Sequence, residues 1–145
     1  MAGFVNVGEM GSLAVHVIVD LALLRETDQD ARRTAQDIAE SLQASVHTLQ
    51  KVTRRLIAAG LIEGARGARG GLKLAKEPKR ITLLQIIEAV DGPVRCNGCM
   101  FSKRVCPADG GCVFEGLTGG MESMVREYFS ETTVAALRDM AMTKG

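Results

Sequence analysis

The sequence predicts a mainly α-helical fold with one small β-hairpin, arranged as a winged helix-turn-helix with a long helix toward the C-terminus. Three observations carry this. Hydrophobic residues make up 46% of the 145 residues but aromatics only 3%, with no Trp, which suits helices packed through Leu, Ala and Val. Two short runs with apolar residues at helical spacing, "AQDIAESL" and "VHTLQKVTRRLIAA", are separated by the turn "QAS", as in a helix-turn-helix. Directly after them, "LIEGARGARGGLKLA" sets short apolar runs on either side of a Gly/Arg tip, which reads as a β-hairpin.

Each element has a local reason. Leu13, Val17, Leu21 and Leu24 recur at helical spacing, so residues 10 to 25 form a first helix. Thr34 caps the next helix and Asp37 satisfies its first turn. Ser45 starts the following one, whose apolar face is Leu49, Val52 and Leu56, and Gly60 ends it. Thr82 and Gln85 have the spacing of a capping box for "TLLQIIEAV", which Asp91, Gly92 and Pro93 stop. A longer helix runs from about Val113 to Phe129, with Met121, Met124, Val125, Tyr128 and Phe129 as its apolar stripe. Thr132 or Thr133 caps a last helix, "VAALRDM".

The net charge of +1 conceals an asymmetry. Residues 31 to 80 carry 11 Lys/Arg against 4 Asp/Glu, whereas the remainder carries 7 against 13. A basic centre between acidic flanks is expected of a polyanion-binding module. Around the Leu49/Val52/Leu56 stripe, Ser45, His47, Thr48, Gln50, Lys51 and Arg54 occupy the polar side of the second helix of the pair, the one that enters the major groove. Gln suits adenine there, and Lys suits guanine or phosphate. Arg66 and Arg69 stand at the hairpin tip, where Arg can clasp phosphate or enter a minor groove. These residues form the expected interface with double-stranded DNA.

All four cysteines fall in "CNGCMFSKRVCPADGGC", at Cys96, Cys99, Cys106 and Cys112. The N-terminal stretch has no basic leader, and its apolar part is broken by His16 and Asp20, so neither a signal peptide nor a membrane span is expected. The expected location is the cytoplasm, where thiols stay reduced and clustered cysteines serve metals or redox chemistry. Thiolates are soft donors for iron–sulfur clusters and for zinc, and the spacing alone leaves both open. Lys103 and Arg104 offset part of the thiolate charge. With only His16 and His47 as histidines, no catalytic triad or hydrolase pattern is present, and no catalytic residue is assigned. Two other classes compete with a DNA-binding regulator: a thiol redox enzyme and an iron–sulfur scaffold. Neither needs a wing or a reading helix.

The segments "LQKVTRRLIAAGLIEGARGARGGLKLA", "ITLLQIIEAVDGP", the cysteine loop and "TTVAALRDM" follow one another in an order that resembles the IscR/NsrR type of winged-helix bacterial transcription regulators, the Rrf-two superfamily. The match covers nearly the whole chain, and "RGARGG" and "IIEAVDGP" are its most specific parts. The resemblance implies a homodimer built on the long helix after the cysteines and an operator of two half-sites. It also implies three loop cysteines that hold an iron–sulfur cluster, [2Fe-2S] or [4Fe-4S], in many members. It places the recognition contacts on His47, Thr48 and Gln50 and the wing arginine on Arg66. The usual triplet falls on Cys99, Cys106 and Cys112, which makes Cys96 an addition to the family pattern. Some relatives complete the cluster from the partner subunit with a carboxylate or histidine near the N-terminus. The matching positions are Ser12 and His16, with Glu9 nearby, so the fourth ligand is left between Cys96 and His16. Zinc, or no cluster at all, is the alternative on the same fold. The implied division is 1–80 as winged-helix domain, 81–112 as linker helix and cysteine loop, and 113–145 as dimerisation and C-terminal helices.

Overall fold

The computed structural model describes residues 4–96, 106, 109–112 and 114–145. Among these residues the fold is mainly helical with one two-stranded antiparallel sheet, as the sequence predicts. The order is α1 (Glu9–Thr27), α2 (Ala35–Leu42), α3 (Val46–Ala58), β1 (Ile62–Ala65), β2 (Gly71–Leu74), a 3-10 turn (Pro78–Arg80), α4 (Leu83–Asp91), α5 (Glu115–Glu131) and α6 (Val134–Thr143).

The helix starts obey the predicted capping chemistry. Thr34 accepts from the Asp37 N–H, Ser45 from the Thr48 N–H, and Thr133 from the Ala136 N–H. Thr82 and Gln85 form the full reciprocal capping box. α1 differs, because its N-cap is Gly8, which has no side chain to offer. Asp91, at the far end of α4, supplies the missing acceptor, and the Gly8 N–H donates to its Oδ2 at 2.8 Å. A carboxylate against the positive end of a helix is favourable. Its closeness explains Gly11, where an added Cβ would come within 2.2 Å of the same oxygen.

α1 is the central helix and packs on α3, α4, α6 and β2. Its fully buried side is Ala14, Val17, Ile18, Leu21 and Ala22, with Leu13 and Leu24 at the margin. Leu49, Val52 and Leu56 of α3 meet it from one side and Ile86 and Val90 of α4 from another. Burying each such side chain contributes about 1.5–3 kcal/mol. Ile81 and Val134 close the core where the starts of α4 and α6 meet; Val134 N–H donates to the Ile81 carbonyl at 2.8 Å, and Leu83 N–H to the Thr132 carbonyl at 2.8 Å.

The hairpin pairs Ile62 with Leu74, Glu63 with Lys73, Gly64 with Leu72 and Ala65 with Gly71. Arg33, just ahead of α2, bridges to the hairpin from its other edge. It donates to the Leu72 carbonyl at 3.1 Å and accepts from the Leu72 N–H at 2.7 Å. The same residue grips α1 through two bonds to the Asp20 carboxylate, at 2.8 and 2.7 Å. The wing and the helix-turn-helix are therefore held as one piece by Arg33. Gly71 permits the approach: its φ is +126°, and an added Cβ would lie 2.8 Å from the Arg33 carbonyl oxygen. Gly71→Ala is expected to lower stability by about 1–3 kcal/mol, read as a lower urea midpoint at unchanged slope.

Candidate nucleic-acid interface and cysteine loop

α3 turns its apolar stripe inward, and this decides what remains outside. Leu49, Val52 and Leu56 have no solvent exposure, whereas His47, Gln50, Lys51 and Arg54 are exposed and Thr48 is half-buried. Ser45 accepts the Thr48 N–H at 3.4 Å as cap, so its own O–H hydrogen remains free to donate to a phosphate. Arg66 and Arg69 are both exposed at the wing tip. Arg66 also lines a cleft of about 470 Å³ with Thr34, Ala35 and Ile57, so the wing tip stands over the start of α2. The structure thus presents every predicted DNA-contacting residue at the surface of α3, its cap or the wing.

Arg32, Arg33, Lys73, Lys79, Arg95, Arg126 and Arg138 each pair with a carboxylate. Among the described residues, Lys51, Arg54, Arg66 and Arg69 have no such partner, nor have Arg25, Arg55, Lys76, Arg80 and Lys144. Of these, Lys51, Arg54, Arg66 and Arg69 alone stand on α3 and the wing tip with their side chains exposed and without a bond to another segment. An unpaired cation on a rigid element keeps its charge available for an external anion.

The predicted cysteine ligands divide. Cys106 and Cys112 are exposed, and Cys112 lies three residues ahead of α5. Cys99 lies outside the described residues. Cys96 is only 5% exposed and forms a bridge with Val5. Its N–H donates to Glu122 Oε2 of α5 at 3.1 Å. Burial, and then the Glu122 carboxylate, push the Cys96 thiol above its ordinary pKa. His16 is exposed on α1, on the same outward side as Glu9 and Ser12. Among the described residues, no three His, Cys, Asp or Glu side chains are grouped so as to hold a metal ion. No helix among them is long and apolar enough to cross a membrane.

α5 packs on α4 but has no fully buried residue. Its predicted stripe splits in two. Met121, Val125 and Phe129 are half-buried, while Met124 and Tyr128 are 70% and 65% exposed and are joined by Leu117 at 52%.

Residues 7–140 match the family model described as Rrf2, iron-dependent transcriptional regulator. The chain belongs to the Rrf2 family. Among its relatives, the HTH-type transcriptional regulator IscR of Photobacterium profundum is 29% identical over 127 residues, covering 88% of this chain and 72% of that protein. Two solved structures share the fold. CymR, the global cysteine regulator of B. subtilis, matches with TM-score 0.72 and 25% identity over 93% of this chain and 97% of its own. IscR of T. potens matches with TM-score 0.71 and 25% identity over 94% of this chain and 88% of its own. The architecture of this Rrf2 chain is accordingly the winged helix of transcription regulators.

Sequence reasoning missed the roles of four residues of this Rrf2 chain. Arg55, between two outward neighbours, turns back to donate to the Val90 carbonyl. Asp91 both ends α4 and caps α1. Glu122 and Arg126 are spaced i, i+4, as an intrahelical ion pair would be, but each reaches another segment instead. The spacing was a usable signal, although the partners were not.

Two measurements bear on these placements. Arg66→Ala should weaken operator binding by about 1–3 kcal/mol in a gel-shift titration while the oligomeric state is unchanged. Iodoacetamide labelling of the native, metal-free protein at neutral pH, mapped by mass spectrometry, should mark Cys106 and Cys112 quickly and Cys96 only after denaturation.

Proposed function

We propose that this Rrf2 chain is a homodimeric regulator that binds double-stranded operator DNA, with its affinity set by an iron–sulfur cluster on the cysteine loop. The observation that carries the DNA-binding part is the set of unpaired cations, Lys51, Arg54, Arg66 and Arg69, on the reading helix and wing. In this reading Ser45, His47, Thr48 and Gln50 meet base edges and nearby phosphates, Lys51 and Arg54 meet the backbone, and Arg66 and Arg69 extend the contact beyond the major groove. The segment 1–80 reads DNA, 81–112 senses, and 113–145 dimerises and closes the core. The exposed face Leu117, Met124 and Tyr128 supports dimerisation, because an apolar helix face of this kind is expected to meet its symmetry mate.

The donor set suits such a cluster at three positions. Cys106 and Cys112 offer accessible sulfur, and Cys99 completes the family triplet. The fourth position falls to Cys96, buried at one root of the loop, or to His16, exposed on α1. A bound cluster supplies a reversible response to nitric oxide, oxygen or iron supply. The chain's own part is to hold the sulfurs at the start of α5 and to tie the other root of the loop to Glu122. A second reading, a cluster-free or zinc-bound thiol regulator, draws support from the exposed Cys106 and Cys112 and from the likeness to CymR, a cysteine regulator.

Anaerobic purification with visible absorption and with iron, zinc and sulfide analysis separates the readings. Stoichiometric iron and sulfide are expected in the wild-type protein. Cys106→Ser should abolish the visible absorption and leave the fold intact by circular dichroism. Cluster retention in that variant would refute the ligand assignment, and zinc without iron would favour the second reading.

A further inference from the structure

The hydrogen bonds around the last turn of α4 join parts of the molecule that the DNA face and the cysteine loop do not otherwise connect. From the side of α3, Arg55 donates through Nη1 to the Val90 carbonyl. This carbonyl is in the final turn of α4, where no intrahelical donor remains and the helix end is negative. A guanidinium there makes a charge-assisted bond. From the side of α5, Arg126 donates to Glu88 Oε1 at 2.6 Å and to the Val94 carbonyl at 3.1 Å. Glu88 Oε1 also accepts from the Val94 N–H at 3.3 Å. One turn earlier on α5, Glu122 accepts from the Cys96 N–H at 3.1 Å and pairs with Arg95 at 3.4 Å. Both roots of the cysteine loop are therefore anchored to α5: Cys112 by chain continuity, Cys96 through Glu122.

We infer that the last turn of α4 is a relay from the cysteine loop to the reading helix, with Arg55, Glu88 and Arg126 as its positioning residues. α3 packs on α4 and α4 packs on α5, so α4 is the body between them. A change in the span of the loop shifts α5 against Cys96. Arg126 passes the shift to Glu88, and the Val90 carbonyl passes it to α3 through Arg55. The Asp91 bond to Gly8 holds the start of α1 to the same turn, so the first turn of α1 moves with it. The inference rests on the loop-controlled DNA binding proposed above and adds the route.

The test uses the full chain in two loop states, loaded anaerobically with ferrous iron and sulfide or blocked with iodoacetamide. Operator DNA is obtained by selection from random duplexes. The wild-type protein should show Kd values that differ between the states by at least about fivefold, the lower end of allosteric coupling. In Arg126→Met and Glu88→Gln that ratio should fall below about twofold, while both states still bind DNA and the loaded absorption spectrum is unchanged. Arg126→Lys should restore the ratio, which a loss of general packing would not predict. Hydrogen exchange across residues 46–58 should differ between states in the wild type and not in Arg126→Met. Should Arg126→Met fail to fold, Arg55→Met reads the same relay from the other side of α4. A wild-type ratio retained by the folded variants overturns the relay alone. A wild-type ratio near one overturns loop control, and the relay with it.

Discussion

The carboxy-terminal turn of α4 is the constraint on which the arrangement depends. A helix end leaves carbonyls without donors, and here they lie inside the molecule, between α1, α3 and α5. Arg55 satisfies Val90 from the reading helix, and the Asp91 carboxylate satisfies the start of α1 in return. Glu88 gathers Arg126 and the Val94 N–H. If this turn were solvated, α1 would lack its cap and α3 its polar tie to α4. The glycine at position 11 follows from the same packing, because a side chain there would displace the Asp91 carboxylate.

The DNA-reading unit is built on simpler terms. Its inner surface is apolar and its outer surface cationic, and the two are set by helical periodicity. What leaves the outer surface available to an external anion is that its cations have no internal partner. Arg33 shows the contrast: it sits beside the same helix pair but is consumed by Asp20 and by the edge of the wing. Lys51, Arg54, Arg66 and Arg69 have no carboxylate among the described residues. A nearly neutral chain can thus present a strongly basic face, since its acids are spent on other elements.

Much of this was legible in the sequence. The capping residues Thr34, Ser45, Thr82 and Thr133 act over three residues, so their spacing announces them. The Leu49/Val52/Leu56 stripe implies which residues of α3 face outward. The burial of Cys96 was not legible, because its backbone is placed by Val5 and Glu122, 91 and 26 positions away. The stripe on α5 was legible only as a whole. Periodicity showed an apolar side, but the packing on α4 divided it into a half-buried part and the exposed Leu117, Met124 and Tyr128.

By itself the sequence determined the helices, the hairpin, the family and the outward polar face of α3. These follow from interactions within a few residues and from the period of apolar positions, which the chain carries in linear form. Only the tertiary structure decided that Asp91 caps α1, that Arg55 turns back to α4, and that Glu122 and Arg126 reach to other segments rather than to each other. The physical reason is that a hydrogen bond between distant residues depends on where two elements are brought by the burial of the core, and that position has no local signature.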